Sequence, residues 1–398
     1  MRKLIVITLL ILSLSTLSAY VEPSSSNAYK HLLDPVTITS VRMKGMGGAG
    51  IALTAGADSL FINPAGLATK DFDLSVPYVV MTIYNPVDLY DTGMIDSMLE
   101  GDDIDYGNVA LDFLDSLGIY NKVARMDAGF ALTVKGFGFG LAVQDTVHTY
   151  SSGGRSVSTS IINQVNIMAT FGYGRRFLLP AGFSIDAGLS LSFNYLAYNE
   201  AAGAQSVIDA IDLDDFEEYM KTGIPFLAGF SVPLSAGLTF NTPFGLSATT
   251  LLSNINGRYY MHSYDDLDSV GDHPFKVLSD KDFDFFTEPD LAVGAAYTID
   301  WIPLFQPTVA VDFVDIIGFF ADGYSVRDFF GHMRLGAEMK LLTFLSLRCG
   351  ISEGYWSVGA GFDFRVIVID LAYFNEEYGS EYGSKSVDGL SLRLKLGW

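Results

Sequence analysis

The sequence predicts an all-β chain, a transmembrane antiparallel β-barrel of about fourteen strands. Three observations carry this. Apolar and polar residues alternate with period two over many segments. Charged residues make up only 18% while aromatics reach 13% and Gly numbers 40 in 398 residues. The connections between alternating segments are by turns short and long. A soluble β-sandwich would carry shorter strands and an ordinary charged surface on its polar face.

At the N-terminus, Arg2 and Lys3 precede an apolar run over residues 4–14, followed by the small residues Thr16, Ser18 and Ala19. This is the pattern of a signal peptide over residues 1–19, so the chain is expected to be exported. The run is shorter than the ~20 residues of a spanning helix. Cys349 is the only cysteine, so no intramolecular disulfide can form. A net charge of -22 excludes nucleic acid as a partner on electrostatic grounds.

The alternation is plainest from Phe183. Phe183, Ile185, Ala187, Leu189, Leu191 and Phe193 share one face, and Ser184, Asp186, Gly188, Ser190, Ser192 and Asn194 the other. Successive side chains on a strand point to opposite faces, so one face is lipid-like and the other small or polar. The last residues repeat it, with Leu390, Leu392, Leu394, Leu396 and Trp398 on one parity. Candidate strands are 72–82, 126–134, 137–147, 161–173, 183–197, 226–240, 244–255, 291–299, 307–315, 332–340, 344–352, 355–364, 366–374 and 389–398. Most suit a tilted strand of ~9–11 residues crossing a bilayer.

Inner connections at 135–136, 241–243, 341–343 and 365 are short, whereas most outer ones, including 83–125, 198–225 and 256–290, are long. Barrels of the outer membrane sort their loops this way, with short periplasmic turns. The long loops hold many Asp and Glu residues, read as solvated charge, with a divalent-cation site as the alternative. Residues 94–117 and 205–220 show helical spacing of apolar residues over the barrel mouth.

Two enzyme patterns fail on context. Residues 45–50 fit G-x-G-x-x-G, but no βαβ unit surrounds them. Residues 350–354 fit G-x-S-x-G, but the last histidine, His332, precedes that serine. His31, His148, His262, His273 and His332 show no metal-binding spacing. The chain is expected to be no enzyme and to need no cofactor or metal.

Between the signal peptide and the first strand, residues 42–68 read RMKGMGGAGIALTAGADSLFINPAGLA. The run containing Gly47, Gly48 and Gly50, with the motif Asn63, Pro64, Ala65 and Gly66, resembles the N-terminal hatch of the FadL family. That family comprises outer-membrane transporters of long-chain fatty acids and other hydrophobic molecules, with relatives in the PorV group. The resemblance implies that residues 20–71 form a hatch, or plug, inside a barrel spanning 72–398. Asn63, Pro64 and Ala65 would then act in structure or gating. It implies passive uptake of a hydrophobic small molecule such as a long-chain fatty acid. The alternatives are a non-transporting PorV-like scaffold for secreted or surface proteins, and an open aqueous porin, against which the plug argues. Expected partners are outer-membrane lipid, the ligand, and assembly machinery recognising the strand that ends at Trp398.

By parity, Arg334, Arg348, Arg393 and Lys395 point inward, where they could hold a ligand carboxylate or pair internally with Glu338 and Asp363. Pro77 and Pro233 interrupt the first and sixth strands, since proline lacks the N–H a ladder needs. In the family a break in the wall gives a lateral exit into the membrane, so each proline marks either such an opening or a simple bulge.

Overall fold

A computed structural model describes residues 40–91, 120–151, 159–199, 202–203, 225–274, 283–299, 302, 304–321, 325–342, 344–378, 383 and 385–397. Residues 1–39, the helical spacing at 94–117 and 205–220, and Trp398 lie outside the described residues.

The strands are β1 Phe72–Tyr84, β2 Tyr120–Val134, β3 Phe137–Ser151, β4 Thr159–Leu178 and β5 Ser184–Asn199. The next three are each in two parts: β6 Phe226–Ser231 and Leu234–Asn241, β7 Leu246–Ile255 and Arg258–Tyr264, β8 Phe283–Phe286 and Asp290–Thr298. Then come β9 Phe305–Phe313, β10 Met333–Leu341, β11 Leu345–Ser352, β12 Tyr355–Asp363, β13 Ile367–Glu377 and β14 Ser386–Gly397. Each strand pairs antiparallel with its sequence neighbours, and β14 pairs with β1 from Gly397 opposite Ser75 to Gly389 opposite Tyr84. The fourteen strands therefore close, and closure removes the exposed edges that a bilayer could not solvate.

Polarity is inverted relative to a soluble protein. Phe137 (66%), Leu189 (56%) and Ile351 (53%) are exposed on the outside, while Asp186, Asn166 and Asp370 on the opposite parity are buried. Aromatic pairs ring the short-turn end, as in Phe137–Tyr173 at 4.6 Å and Phe183–Phe240 at 5.7 Å, and Trp356–Tyr373 at 5.4 Å lies toward the other. An apolar band between aromatic girdles is the surface of a transmembrane barrel. No helix among the described residues is long and apolar enough to cross a membrane.

Lys135 and Gly136 (φ 50° and 85°) close the β2–β3 hairpin in the left-handed turn that matches strand twist. The expected 256–290 loop is corrected in part. After a kink at 256–257, β7 resumes through Tyr264, and β8 begins at Phe283. Asn256-Gly257 carries turn chemistry, but here it bends the strand instead of ending it. The connection between β9 and β10 contains two short helices, Ile316–Ala321 and Val326–His332.

Residues 40–71, the inner segment, form a helical turn Val41–Lys44 and three 3-10 turns, Ile51–Leu53, Gly56–Leu60 and Pro64–Thr69. Val41, Met46, Ala57, Leu60, Ala65 and Leu67 are fully buried against inward-facing wall residues.

Candidate functional site

The inner segment is seated on glycines of the wall. A methyl group on Gly188 of β5 would overlap the Pro64 carbonyl, and one on Gly237 of β6 would overlap Asn63 Oδ1. Across the lumen, one on Gly350 of β11 would overlap the backbone of Met46 and Gly47. Only a residue without Cβ permits such backbone approach.

The two sequence motifs therefore occupy two facing seats. Asn63 Nδ2 donates to Ile51 O (2.9 Å) and to Thr249 Oγ1 of β7 (3.0 Å), while its Oδ1 accepts from Ala65 N (3.2 Å). Pro64 fits the first helical position, where its missing N–H costs nothing. Gly66 packs within the segment, against Thr54 and Ser59. In the other seat Gly47 N donates to Ser357 Oγ (2.8 Å), and Gly50 N and Ile51 N donate to Asp312 Oδ2 (2.6 and 3.0 Å). Gly47, Gly48 and Gly50 all have positive φ.

A chain of ion pairs runs between segment and wall. From Lys70 it passes to Asp73 (2.9 Å), Lys395 (3.9 Å), Asp58 (3.6 Å), Arg393 (2.6 Å), Asp370 (4.0 Å), Arg348 (2.6 Å), Glu338 (2.7 Å) and Arg42 (2.7 Å). These groups line a cavity of about 320 Å³ toward the short-turn end. Burial alone would push the Asp58 carboxyl up, but Arg393 and Lys395 outweigh it and hold the group well below the usual carboxylate range.

Three of the four inward cations therefore meet in one place, already paired with protein carboxylates. The internal partner Glu338 is as read from sequence, but the second is Asp370 and not Asp363, which accepts from Arg365 N in the β12–β13 turn. Arg334 stands apart, its side chain along Gly48 and outside the cavity. A ligand carboxylate in this cavity would have to displace an existing pair.

At the opposite end of the segment the lining changes. Lys44 is buried with its Nζ 4.1 Å from the Phe374 ring centroid and 5.7 Å from that of Tyr84. Burial lowers its ammonium to about 7, against a smaller raising effect of Glu376. Around the wall, Ile162, Leu196, Tyr198, Leu227, Tyr259 and Met261 form an inward apolar cluster on β4 to β7. Sequence reasoning missed it. Its signal is that both parities turn apolar together, as at residues 195–198 and 226–230.

Beside this cluster the wall is interrupted. β5 holds both halves of β6, with Ser192 N donating to Pro233 O (3.0 Å). On the other side the pairing Leu234–Ile255 is followed only by Phe230–Tyr260, so the β6–β7 ladder is broken. Between β7 and β8, Ser253–Asp290 is followed by Arg258–Phe286, bridged by Thr287 N donating to Gly257 O (2.9 Å). Three adjacent strands thus break together. Ser231 Oγ and Asn194 Oδ1, in register there, are buried without a hydrogen-bond partner among the described residues.

Pro77 is different. It lies in a bulge of β1 between Ser75 and Tyr78, and both neighbouring ladders continue across it. The reading of Pro77 as an opening is corrected to a bulge, because each flanking strand simply opposes one fewer residue. Among the described residues no group of three or more His, Cys, Asp or Glu converges as a metal site.

No protein-family model and no curated protein matches the chain. Among solved structures, it is similar to the Ralstonia pickettii toluene transporter TbuX, at 10% identity and TM-score 0.47, over 90% of this chain and 97% of that one. It is also similar to the P. putida toluene transporter TodX, at 11% identity and TM-score 0.45 (90% and 96% covered). A Pseudomonas aeruginosa FadL homologue matches at 12% identity and TM-score 0.41 (90% and 98% covered). By its own strand pairing and inside-out polarity, the chain is a closed fourteen-stranded transmembrane β-barrel with residues 40–71 folded against its inner wall.

Proposed function

We propose that this barrel lies in the outer membrane and passively admits hydrophobic small molecules, long-chain fatty acids among them, with residues 20–71 acting as its hatch. The observation that carries the reading is the division of the lumen. An apolar lining on β4 to β7 adjoins the break at Pro233, whereas the short-turn end is closed by a charged, ion-paired layer. A hydrophobic molecule entering from outside gains from the first surface and meets a desolvation cost at the second. Leaving sideways at the Pro233 break would keep it out of water. In this reading Asn63, Pro64 and Ala65 seat the hatch, Arg393 and Lys395 hold it down through Asp58, and Arg348 braces the Glu338 that holds Arg42, instead of binding ligand.

The test uses the full chain in Cys349→Ala background with Asn63→Cys and Thr249→Cys, whose native side chains lie in hydrogen-bond contact. Proteoliposome uptake of a fluorescent long-chain fatty acid is followed before and after the two thiols are oxidised to a disulfide. Uptake that stops on cross-linking and returns on reduction supports the hatch. Uptake indifferent to the cross-link removes the gating role. A folded barrel that neither binds nor admits the fatty acid sinks the transport reading and favours the scaffold.

A further inference from the structure

The β9–β10 connection carries the least expected surface among the described residues. Its first helix, Ile316–Ala321, contains no charged residue, and Phe320 is 65% exposed on it. Ile317 of the same helix is exposed too, and on the second helix Val326 is 76% and Phe330 53% exposed, with Phe329 also exposed. Contiguous apolar exposure of this kind costs free energy in water and marks a surface that something covers.

Its position identifies the cover. On β9, Val309 and Val311 are exposed on the lipid face, and Phe313 continues their parity, opposite Val293 and Met333. The helices pack onto that residue from outside the barrel. The ring of Phe313 lies 5.3 Å from Phe319, 5.2 Å from Phe329 and 6.0 Å from His332, while the neighbouring Val314 faces inward among Met43 and Ile51. Local hydrogen bonds define both helices. Ser325 and Asp328 form a reciprocal cap on the second helix, Gly318 N donates to Asp315 Oδ1 (3.0 Å), and Val314 N donates to His332 O (3.0 Å). The exposed apolar residues therefore extend the lipid-facing band beyond the strands, on the long-loop rim.

We propose that these two helices lie in the interfacial region of the bilayer, with Phe320 and Phe330 dipping among the acyl chains of the leaflet at the long-loop rim. Arg327, exposed between them, stays at headgroup level. Short amphipathic helices bind the interface in this way, buried by ~5–10 Å. The inference rests on the barrel's position in a membrane and not on what it transports.

Nitroxide labels are placed singly at Phe320→Cys, Phe330→Cys, Arg327→Cys and Val309→Cys in Cys349→Ala background, in phosphatidylcholine vesicles. Collision rates with oxygen and with a water-soluble nickel chelate are compared. The expected result groups 320 and 330 with 309, rich in oxygen collisions and shielded from nickel, and leaves 327 open to nickel. Labels at 320 and 330 that behave like 327 would overturn the proposal, placing the helices in water. Suppressed collisions with both reagents would also overturn it, because protein and not lipid would then cover the patch. Phe320→Trp in otherwise native protein gives an independent readout, with added emission quenched by chain-brominated lipid and untouched by iodide.

Discussion

Lys44 is a cation buried under two aromatic rings on the face of the inner segment toward the long loops. Its ammonium falls from 10.5 to about 7, chiefly through burial. The seated state therefore holds fewer protons than the unseated one between those values, so seating strengthens as pH rises from 7 to 10.5 and is weakest below 7. Contact with the ring faces offsets part of that cost. A nitroxide on the exposed Ala55, introduced as Ala55→Cys, should lose mobility over that rise. Lys44→Met should abolish the pH dependence and give the less mobile spectrum at pH 6. Asn63 acts in a different way, through two donated bonds and one accepted bond at a buried site. Asn63→Ala should weaken seating by roughly 1–3 kcal/mol, the cost of leaving the Ala65 N–H and the Ile51 carbonyl unmet. Limited proteolysis of the segment in folded barrels would measure it.

Among the elements, β6 and β7 carry the clearest departure from regularity. Pro233 removes one donor, and Asn256-Gly257 absorbs an extra residue on the neighbouring strand, so the two defects reinforce one another. Pro233→Thr restores a backbone N–H and should raise hydrogen-exchange protection across residues 230–236 and slow fatty-acid uptake, with the barrel otherwise intact. Full protection of this stretch in the unaltered protein would count against an opening there. The ion-pair layer behaves as one unit in the same sense. Glu338→Ala strands Arg42 and leaves Arg348 with Asp370 alone, at a cost of roughly 3 kcal/mol if the rest does not rearrange.

For the whole molecule, strand number, closure and the inside-out pattern were legible because lipid imposes a strict period of two on every strand. Leu189, Leu191 and Phe193 against Ser190 and Asn194 show the rule at work. The rule fails where the wall stops facing lipid on one side only. In residues 258–264 buried side chains fall on both parities, Tyr259 and Met261 on one and His262 and Tyr264 on the other, and a turn-like Asn256-Gly257 precedes them, so the strand read as loop. The inward direction of Arg348, Arg393 and Lys395 followed from parity, but Asp58, the partner of Arg393 and Lys395, did not, since nothing local links residues 335 positions apart. The helices after β9 were hidden because their apolar residues follow no face of a conventional core. If the inner segment is what closes the lumen, deleting residues 40–71 should leave a folded barrel with higher single-channel conductance in planar bilayers than the full chain.

The seating of the inner segment also ties distant parts of the wall together. Asn63 and Pro64 sit on Gly237 and Gly188 of β6 and β5, while Arg42 pairs with Glu338, Asp58 with Arg393, and Met46 sits on Gly350. Glu338, Gly350 and Arg393 lie on β10, β11 and β14, so this half of the seating needs the later strands in place. Leu60 and Leu67 pack against Gly138 and Gly172 on β3 and β4, whereas Met46 is buried against Gly336 and Gly350 on β10 and β11, so the two halves of the segment depend on strands far apart in the chain. Such long-range closure is intrinsically slow. Full seating of the segment thus requires wall strands from both halves of the chain, and a change that displaces β14 removes the Arg393 partner of Asp58.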